Sequence, residues 1–199
     1  MVSVLLKLSC TSAKQAEGEM NILLKLLPHQ LPAFVRKAIL AELSAATAEA
    51  FACPAPSLAR LSCDKCLESY ARFSSAQAER ARQSGPDVSI VKARLYRNAY
   101  PLGEKLRRWF GLATIADVMA LGQILYRAIG VEMQGDARGN VTVQNCFYSQ
   151  FYSGQVCHLI SALDDGVFAG LSGGCRLSFS QRLTEGYPCC RARLQAGRH

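Results

Sequence analysis

The chain has 199 residues, half of them hydrophobic, and its 23 lysines and arginines outweigh 15 aspartates and glutamates to give a net charge of +8. This length suffices for one good core, or for one core with a helical extension, and it excludes two large domains. Charged residues make up only 19% of the chain and apolar residues fall in periodic blocks, which argues against long disorder. No segment approaches the ~20 apolar residues of a membrane span, so we expect no membrane partner.

The positive charge raises the question of nucleic-acid binding. The basic residues are spread along the chain, and their densest group is Arg94, Arg97, Lys105, Arg107 and Arg108. A solvated basic helix face is the common origin of such a group, so the sequence argues against a nucleic-acid partner. A surface for an anion or an acidic partner is the alternative interpretation.

Residues 1–19 are predicted to be a flexible N-terminal segment. The hydrophobic run Met1–Cys10 is broken by Lys7 and no small-residue cleavage site follows, so we expect a cytoplasmic protein without a signal peptide. In a reducing compartment disulfides are rare, so the nine cysteines favour a role in metal binding, redox chemistry or catalysis. Buried free cysteine is also a common small hydrophobe, so each cysteine has a structural alternative.

Residues 20–111 form the predicted helical region. Apolar residues recur at helical spacing over Met20–Phe51, and Pro28 and Pro32 divide this stretch into a short helix and a longer one. A second long helix is predicted over Ser57–Gln83, with the serine as its N-cap.

The last part of the helical region is basic. A third helix is predicted over Val88–Tyr100, and Pro101 is expected to end it and to lead into a short helix that stops at Gly111. Within the second predicted helix, Cys63 and Cys66 form a C-x-x-C pair, which is half of a zinc site without a second pair to complete it. The pair is either a metal or redox site or two small residues on one helical face.

Residues 112–195 are predicted to be a cysteine-rich α+β domain. It begins with a helix over Thr114–Ile129, and the hydrophobic period then changes at Gly130 from helical to alternating. The predicted elements that follow are strands over Val131–Gln134 and Asn140–Phe147, a helix over Gln155–Leu171, and strands over Cys175–Leu183 and Cys189–Leu194. We therefore predict an α+β fold in which two antiparallel hairpins flank a helix and the N-terminal helices pack beside the small sheet.

Cysteines cluster in this domain at the ends of the predicted elements. Cys146 ends a strand, and Cys157 lies in the first turn of a helix, where the helix dipole is expected to lower the thiol pKa. Cys189 and Cys190 open the last strand, and neighbouring strand residues face opposite sides. The sequence therefore predicts that Cys146, Cys157 and one member of this pair surround one pocket.

The pattern of these residues resembles a known family. Cys146, Cys157, Asp164, the stretch Leu177–Thr184, Gly186 and Cys189-Cys190 resemble the L-2-amino-thiazoline-4-carboxylic acid hydrolase family of bacterial proteins. The resemblance covers roughly Leu112 to Leu194. The same region is similar, more distantly, to 4-vinyl-reductase-type ligand-binding domains, which can hold zinc through cysteines.

The resemblance implies a hydrolase that opens a small cyclic C–N/C–S substrate, such as an aminothiazoline carboxylate, by adding water. Cys157 would attack or ligate, Asp164 would be the general base and His158 would shuttle protons. Arg182 and Thr184 would bind the substrate, the arginine by holding its carboxylate in bidentate fashion. The zinc-holding relatives imply zinc as a candidate cofactor, with Cys146, Cys157, Cys189 and Cys190 as its ligands.

A non-catalytic module that binds a small molecule or a metal through the C-terminal cysteines is the principal alternative, because resemblance in fold does not transfer function. A helical adaptor with a structural cysteine core is a third class. In the first two classes the partner is a small-molecule substrate or ligand, and a homodimer is left open.

Overall fold

The computed structural model describes residues 31–84 and 87–197. Its helices are α1 (Ala33–Ala50), α2 (Cys63–Ser84), α3 (Val88–Phe110), α4 (Ile115–Ala128), α5 (Gly154–Ile160) and α6 (Ala162–Ser172). Its strands are β1 (Val131–Gly135), β2 (Asn140–Cys146), β3 (Cys175–Gln181) and β4 (Cys190–Ala196). The strands form an antiparallel sheet in the order β1-β2-β4-β3, so the predicted α+β fold with two hairpins flanking a helical segment is confirmed.

The beginning of the chain is covered only in part. The predicted flexible segment 1–19 and the predicted short helix that begins at Met20 lie outside the described residues. The longer helix predicted ahead of Phe51 is present as α1. Within residues 31–84 and 87–197 no single helix has both the length and the apolar character of a membrane span; α3 and α4 meet that test only as a pair, and the pair is bent by 115°.

The sheet has one buried and one exposed face. Along β4 the residues Cys190, Ala192 and Leu194 are buried, whereas Arg191 and Arg193 between them are exposed. The strands β1 and β2 alternate in the same way. Because α4 packs against β1 and α6 packs against β3, the helices cover the buried face.

A β-bulge in the first hairpin decides where Cys146 points. Met133 pairs with Val143, whereas the preceding Glu132 pairs with Asn145, so β2 carries one additional residue at this point. The additional residue shifts the alternation of side chains along β2. Cys146 consequently pairs with the buried Val131 and lies on the face that the helices cover.

The helices α3 and α6 cross in direct backbone contact through small residues. A methyl group added at Gly166 would collide with the backbone carbonyl of Tyr96, and one added at Gly170 would collide with that of Tyr100. Gly103 approaches the backbone of α6 in the same way from the other helix. This crossing fixes the position of α6, whose first turn carries two aspartates.

Two helix boundaries in the first half differ from the prediction. α3 continues through Pro101 instead of ending there, because its packing against α6 holds the helix together where the proline N–H is missing. α2 begins at Cys63 and not after Ser57, since the Ser62 hydroxyl accepts a hydrogen bond from the Lys65 N–H (3.4 Å) and starts the helix there.

The predicted helix over Gln155–Leu171 is also divided in two. α5 ends at Ile160 and α6 begins at Ala162. Ser161 at the junction donates its hydroxyl hydrogen to the carbonyl oxygen of His158 (3.1 Å). This local bond competes with the helix pattern and accompanies the break.

Candidate functional site

Asp164, in the first turn of α6, is a carboxyl held deep among the helices. Tyr126 of α4 donates a hydrogen bond to it, with 2.5 Å between Oη and Oδ1. Burial raises the pKa of Asp164 to about 6, and the hydrogen bond from Tyr126 and the charge of Arg182 only partly oppose this effect. The residue as a whole is half-buried, whereas its carboxyl group is desolvated.

Arg182 precedes the short 3-10 turn Leu183–Glu185 and is only 6% exposed. Its guanidinium stacks on the ring of Phe179 at 4.4 Å, and its Nη1 lies 4.0 Å from Sγ of Cys157. Its charge lowers the pKa of Asp164, yet no carboxylate among the described residues forms an ion pair with it. A buried cation without an anion costs free energy, so this guanidinium is free to bind an anionic group.

Cys157 lies on α5, a helix that has seven residues and is capped by the Ser153 hydroxyl. Burial raises the pKa of the Cys157 thiol, and the nearby Thr184 hydroxyl and Arg182 guanidinium do not reverse this direction. The expected helix-start thiolate is therefore wrong, because desolvation by burial is the largest influence on the pKa of this thiol. At neutral pH Cys157 is a protonated thiol beside a cation and a hydroxyl.

Two other thiols lie within electrostatic range of Cys157. Burial raises the pKa of Cys146 to about 12, and charges on Cys157 and Cys190 would raise it further. Cys190 is the buried member of the Cys189-Cys190 pair, and its Sγ accepts a hydrogen bond from the Leu183 N–H (3.3 Å). The structure thus brings Cys146, Cys157 and Cys190 to one region. Cys189 is the residue directly before β4.

The zinc expectation does not fit this arrangement. Across residues 31–84 and 87–197, no three His, Cys, Asp or Glu side chains are placed so that they could hold a metal ion. The candidate ligands Cys146, Cys157, Cys189 and Cys190 therefore do not form a metal-binding group here, and Cys63 and Cys66 do not form one either. The Cys66 thiol instead donates to the carbonyl oxygen of Leu58 (3.4 Å).

An open cleft of about 550 Å³ lies between α5, α6 and the β3 edge of the sheet. Its lining includes Lys92, His158, Ser161, Arg176, Phe179 and Arg182. Because Arg182 also reaches Cys157, its side chain connects the cleft with the buried thiols and Asp164. The volume is in the range of small-molecule sites.

His158 stands at the rim of this cleft and not beside Asp164. Its Nε2 lies 3.0 Å from Oε1 of Glu185, and more than half of its side chain is exposed. This contact ties α5 to the 3-10 turn that carries Thr184. The structure therefore gives His158 a position between two elements and does not bring it to the predicted general base.

Sequence reasoning missed two tyrosines of the site. Tyr126 lies on the buried side of α4, and Tyr148 follows β2 in the 3-10 turn Phe147–Gln150. A buried tyrosine hydroxyl requires a partner, so Tyr126 on the apolar side of a predicted helix already indicates a buried acceptor. No comparable sequence signal marks Tyr148, because its burial depends on how the turn packs.

Some buried side-chain oxygens of the described residues have no hydrogen-bond partner, and one of them lies beside Cys157. Among the described residues, the unpartnered buried side-chain oxygens are those of Ser44, Tyr148 and Thr184. The Thr184 hydroxyl lies beside Cys157 and favours its thiolate, although it is not in hydrogen-bonding geometry. Such orphaned groups are rare in folded proteins and are expected where a ligand or water completes the bonding.

Searches with this chain found no matching protein-family model and no matching curated protein. The side chains of the site are therefore the guide to its chemistry. Asp164 can exchange a proton near neutral pH, Cys157 can donate one, and Arg182 can bind an anion.

Proposed function

We propose that this protein is a hydrolase of small cyclic C–N/C–S substrates that carry a carboxylate, such as an aminothiazoline carboxylate. The observation that carries the proposal is the buried guanidinium of Arg182, which has no carboxylate partner among the described residues and lies between the cleft and Cys157. A substrate carboxylate would supply the missing anion. Charge-assisted bidentate pairing would then fix the orientation of the ring.

Asp164 is the proposed general base. A carboxyl with a pKa of about 6 is mostly ionised at neutral pH, yet it is basic enough to take a proton from water. The Tyr126 hydrogen bond holds one oxygen of this carboxyl in place. The resulting hydroxide would add to the amidine-like carbon of the ring.

Cys157 is the proposed proton donor. Because burial raises its pKa, the thiol is protonated at neutral pH and suits this role better than that of the nucleophile. As the ring bond breaks, the S–H proton would pass to the leaving nitrogen or sulfur atom. The proton held by Asp164 would then return to Cys157, so the net change is the addition of one water.

A non-catalytic ligand-binding module is the second candidate. The observation in its favour is the 3.0 Å contact between His158 and Glu185, which holds the predicted proton shuttle at the rim of the cleft. This alternative uses the same anion site at Arg182 and requires no proton transfer. The two candidates therefore differ in turnover and agree on binding.

Turnover of 2-aminothiazoline-4-carboxylate by the purified chain tests the proposal. We expect Asp164→Asn and Cys157→Ala to abolish turnover, and Asp64→Asn, which removes an exposed carboxylate, to retain it. Arg182→Met should raise KM by roughly tenfold to a hundredfold, as expected from losing a charge-assisted hydrogen bond. Binding without turnover in the wild type would favour the second candidate, and full activity of Asp164→Asn would refute the assigned base.

A further inference from the structure

The lining of the cleft carries more positive than negative charge. Of the described residues that line it, three are cations: Lys92, Arg176 and Arg182. Asp165 is the one carboxylate among these lining residues, so with a neutral His158 two positive charges are in excess. A cleft lined by charges of one sign concentrates ions of the opposite sign. The cleft therefore favours negatively charged ligands.

The carboxylate of the lining is already paired with one of the cations. Arg176 donates to both oxygens of Asp165, with Nε 3.1 Å from Oδ1 and Nη2 2.5 Å from Oδ2. The same carboxylate accepts a hydrogen bond from the Leu177 N–H (2.8 Å). The Arg176 guanidinium also stacks over the ring of Tyr96 at 4.5 Å. The charges of Arg176 and Asp165 therefore offset each other, and the excess charge belongs to the other two cations.

Lys92 is, like Arg182, a cation of the cleft without a carboxylate partner. Among the described residues, no carboxylate forms an ion pair with its ammonium group. Lys92 is exposed, so hydration alone would stabilise its charge. What sets it apart from other exposed lysines is that it lines the same cleft as a buried, unpaired guanidinium.

The two unpaired cations reach the cleft from different elements. Lys92 lies in α3, one helical turn before Tyr96, the residue on which Arg176 stacks. Arg182 follows β3, and its Nη1 lies 4.0 Å from Sγ of Cys157. The buried guanidinium thus adjoins the proposed reacting groups, whereas the exposed ammonium lies on the solvent side of the cleft. One ligand can therefore present a different group to each cation.

We propose that Lys92 binds a second anionic group of the ligand, so that the preferred substrates carry two negative charges. This inference rests on the proposed anion site at Arg182 and narrows its substrate class to small ring carboxylates with a further anionic substituent, such as a second carboxylate. Lysine is a flexible point charge without the fork geometry of arginine, so it selects for charge and not for one shape. Because the contact is exposed to solvent, it adds modest affinity and serves mainly specificity.

Calorimetric titration of the wild type with derivatives of thiazole-4-carboxylate measures this selection. The compounds carry at ring position 2 either a second carboxylate or its neutral amide, attached directly in one pair and through a two-carbon arm in the other. The wild type should bind at least one dicarboxylate about fivefold more tightly than the matching amide, the value of one exposed charge pair. Added salt should reduce this preference, because it screens exposed charges.

Substitutions of two lysines on the same helix locate the origin of the preference. Lys92→Gln should remove it and leave the affinity for the amides close to that of the wild type, whereas Lys92→Arg should retain it because the charge remains. Lys105→Gln is the matched control, since Lys105 lies over the ring of Trp109 and outside the lining of the cleft. This control should keep the preference. An equal loss in Lys92→Gln and Lys105→Gln would show that net charge, and not a contact in the cleft, sets the preference.

The binding results also separate this inference from the proposed function. If the wild type binds the amides and prefers neither dicarboxylate, the anion site at Arg182 stands and the role of Lys92 is wrong. A preference that persists in Lys92→Gln overturns the role of Lys92 as well. If the wild type binds none of the four compounds, the proposed carboxylate site is wrong and this inference falls with it.

Discussion

At the scale of single residues, the site is defined by charges that act on each other without touching. Arg182 lowers the pKa of Asp164, although the two side chains form no direct ion pair. Both are held in place by other partners, Arg182 by Phe179 and Asp164 by Tyr126.

The raised pKa of Asp164 makes stability depend on pH. Its value of about 6 in the folded protein exceeds the ordinary 3.8, so the folded state binds the proton more tightly than the unfolded chain does. The contribution of this group to stability is full below pH 3.8 and is lost as the pH rises through about 6.

Asp164→Asn, which stays neutral, should therefore match the wild type at about pH 4 and exceed it at pH 7 by at most about 3 kcal/mol. Urea unfolding across this pH range measures the difference. A variant whose stability relative to the wild type is constant from about pH 4 to pH 7 would show that the carboxyl is not desolvated.

The protonation of Cys157 is a second prediction at this scale. Because burial raises its thiol pKa, its alkylation by iodoacetamide should have a midpoint above the ~8.5 of a free thiol. Arg182→Met should move the midpoint further up, since the cation favours the thiolate. Mass spectrometry locates the label on Cys157, and a midpoint below that of a free thiol would restore the nucleophile.

The sequence indicated which residues belong to the site, but it did not indicate the protonation of Cys157 or the contact partner of His158. Cys157, Asp164 and Arg182 stand out by type and position, and the structure places them within electrostatic range. The direction of the Cys157 pKa was missed because burial is a property of the fold. The pairing of His158 with Glu185 was missed for the same reason, since the two elements meet only in three dimensions.

At the scale of elements, the crossing of α3 and α6 positions the acid. Gly166 lies against the carbonyl of Tyr96, where a side chain cannot fit without moving a backbone. Gly166→Ala should destabilise the protein by about 3 kcal/mol or more, as expected for overpacking against a backbone that cannot yield.

Gly154→Ala is the matched control for this substitution. Its added methyl group would meet the flexible Glu185 side chain at 3.3 Å, so its effect on stability should be small. Denaturant unfolding of both variants compares them, and equal losses would mean that the α3–α6 crossing is not as tight as described.

The spacing of hydrophobic residues predicted most of the helices and strands. It did not predict local features that depend on tertiary packing or on strand register. The change of period at Gly130 correctly separates helices from strands. Pro101 was expected to end a helix, yet tertiary packing keeps α3 continuous. The bulge that turns Cys146 inward leaves no mark in the sequence, because it depends on the register between two strands.

At the scale of the whole molecule, the fold places the buried guanidinium of Arg182 at a cleft and within electrostatic range of Asp164. The α+β order of elements follows from the sequence pattern, whereas the meeting of β3, α5 and α6 at Arg182 does not.

The buried charge of Arg182 affects the stability of the unliganded protein. Arg182→Met removes a buried cation without an anion, so the unliganded variant should be at least as stable as the wild type.

The most direct test of the anion site is thermal unfolding of the wild type and Arg182→Met with thiazole-4-carboxylate or with its neutral amide. The carboxylate should raise the unfolding temperature of the wild type, because ligand binding stabilises the folded state, and the amide should not. Arg191→Met, which removes an exposed arginine from the sheet, should respond like the wild type. We predict that Arg182→Met needs roughly tenfold to a hundredfold more of the carboxylate for the same response and does not respond to the amide. An undiminished response to the carboxylate would contradict the account.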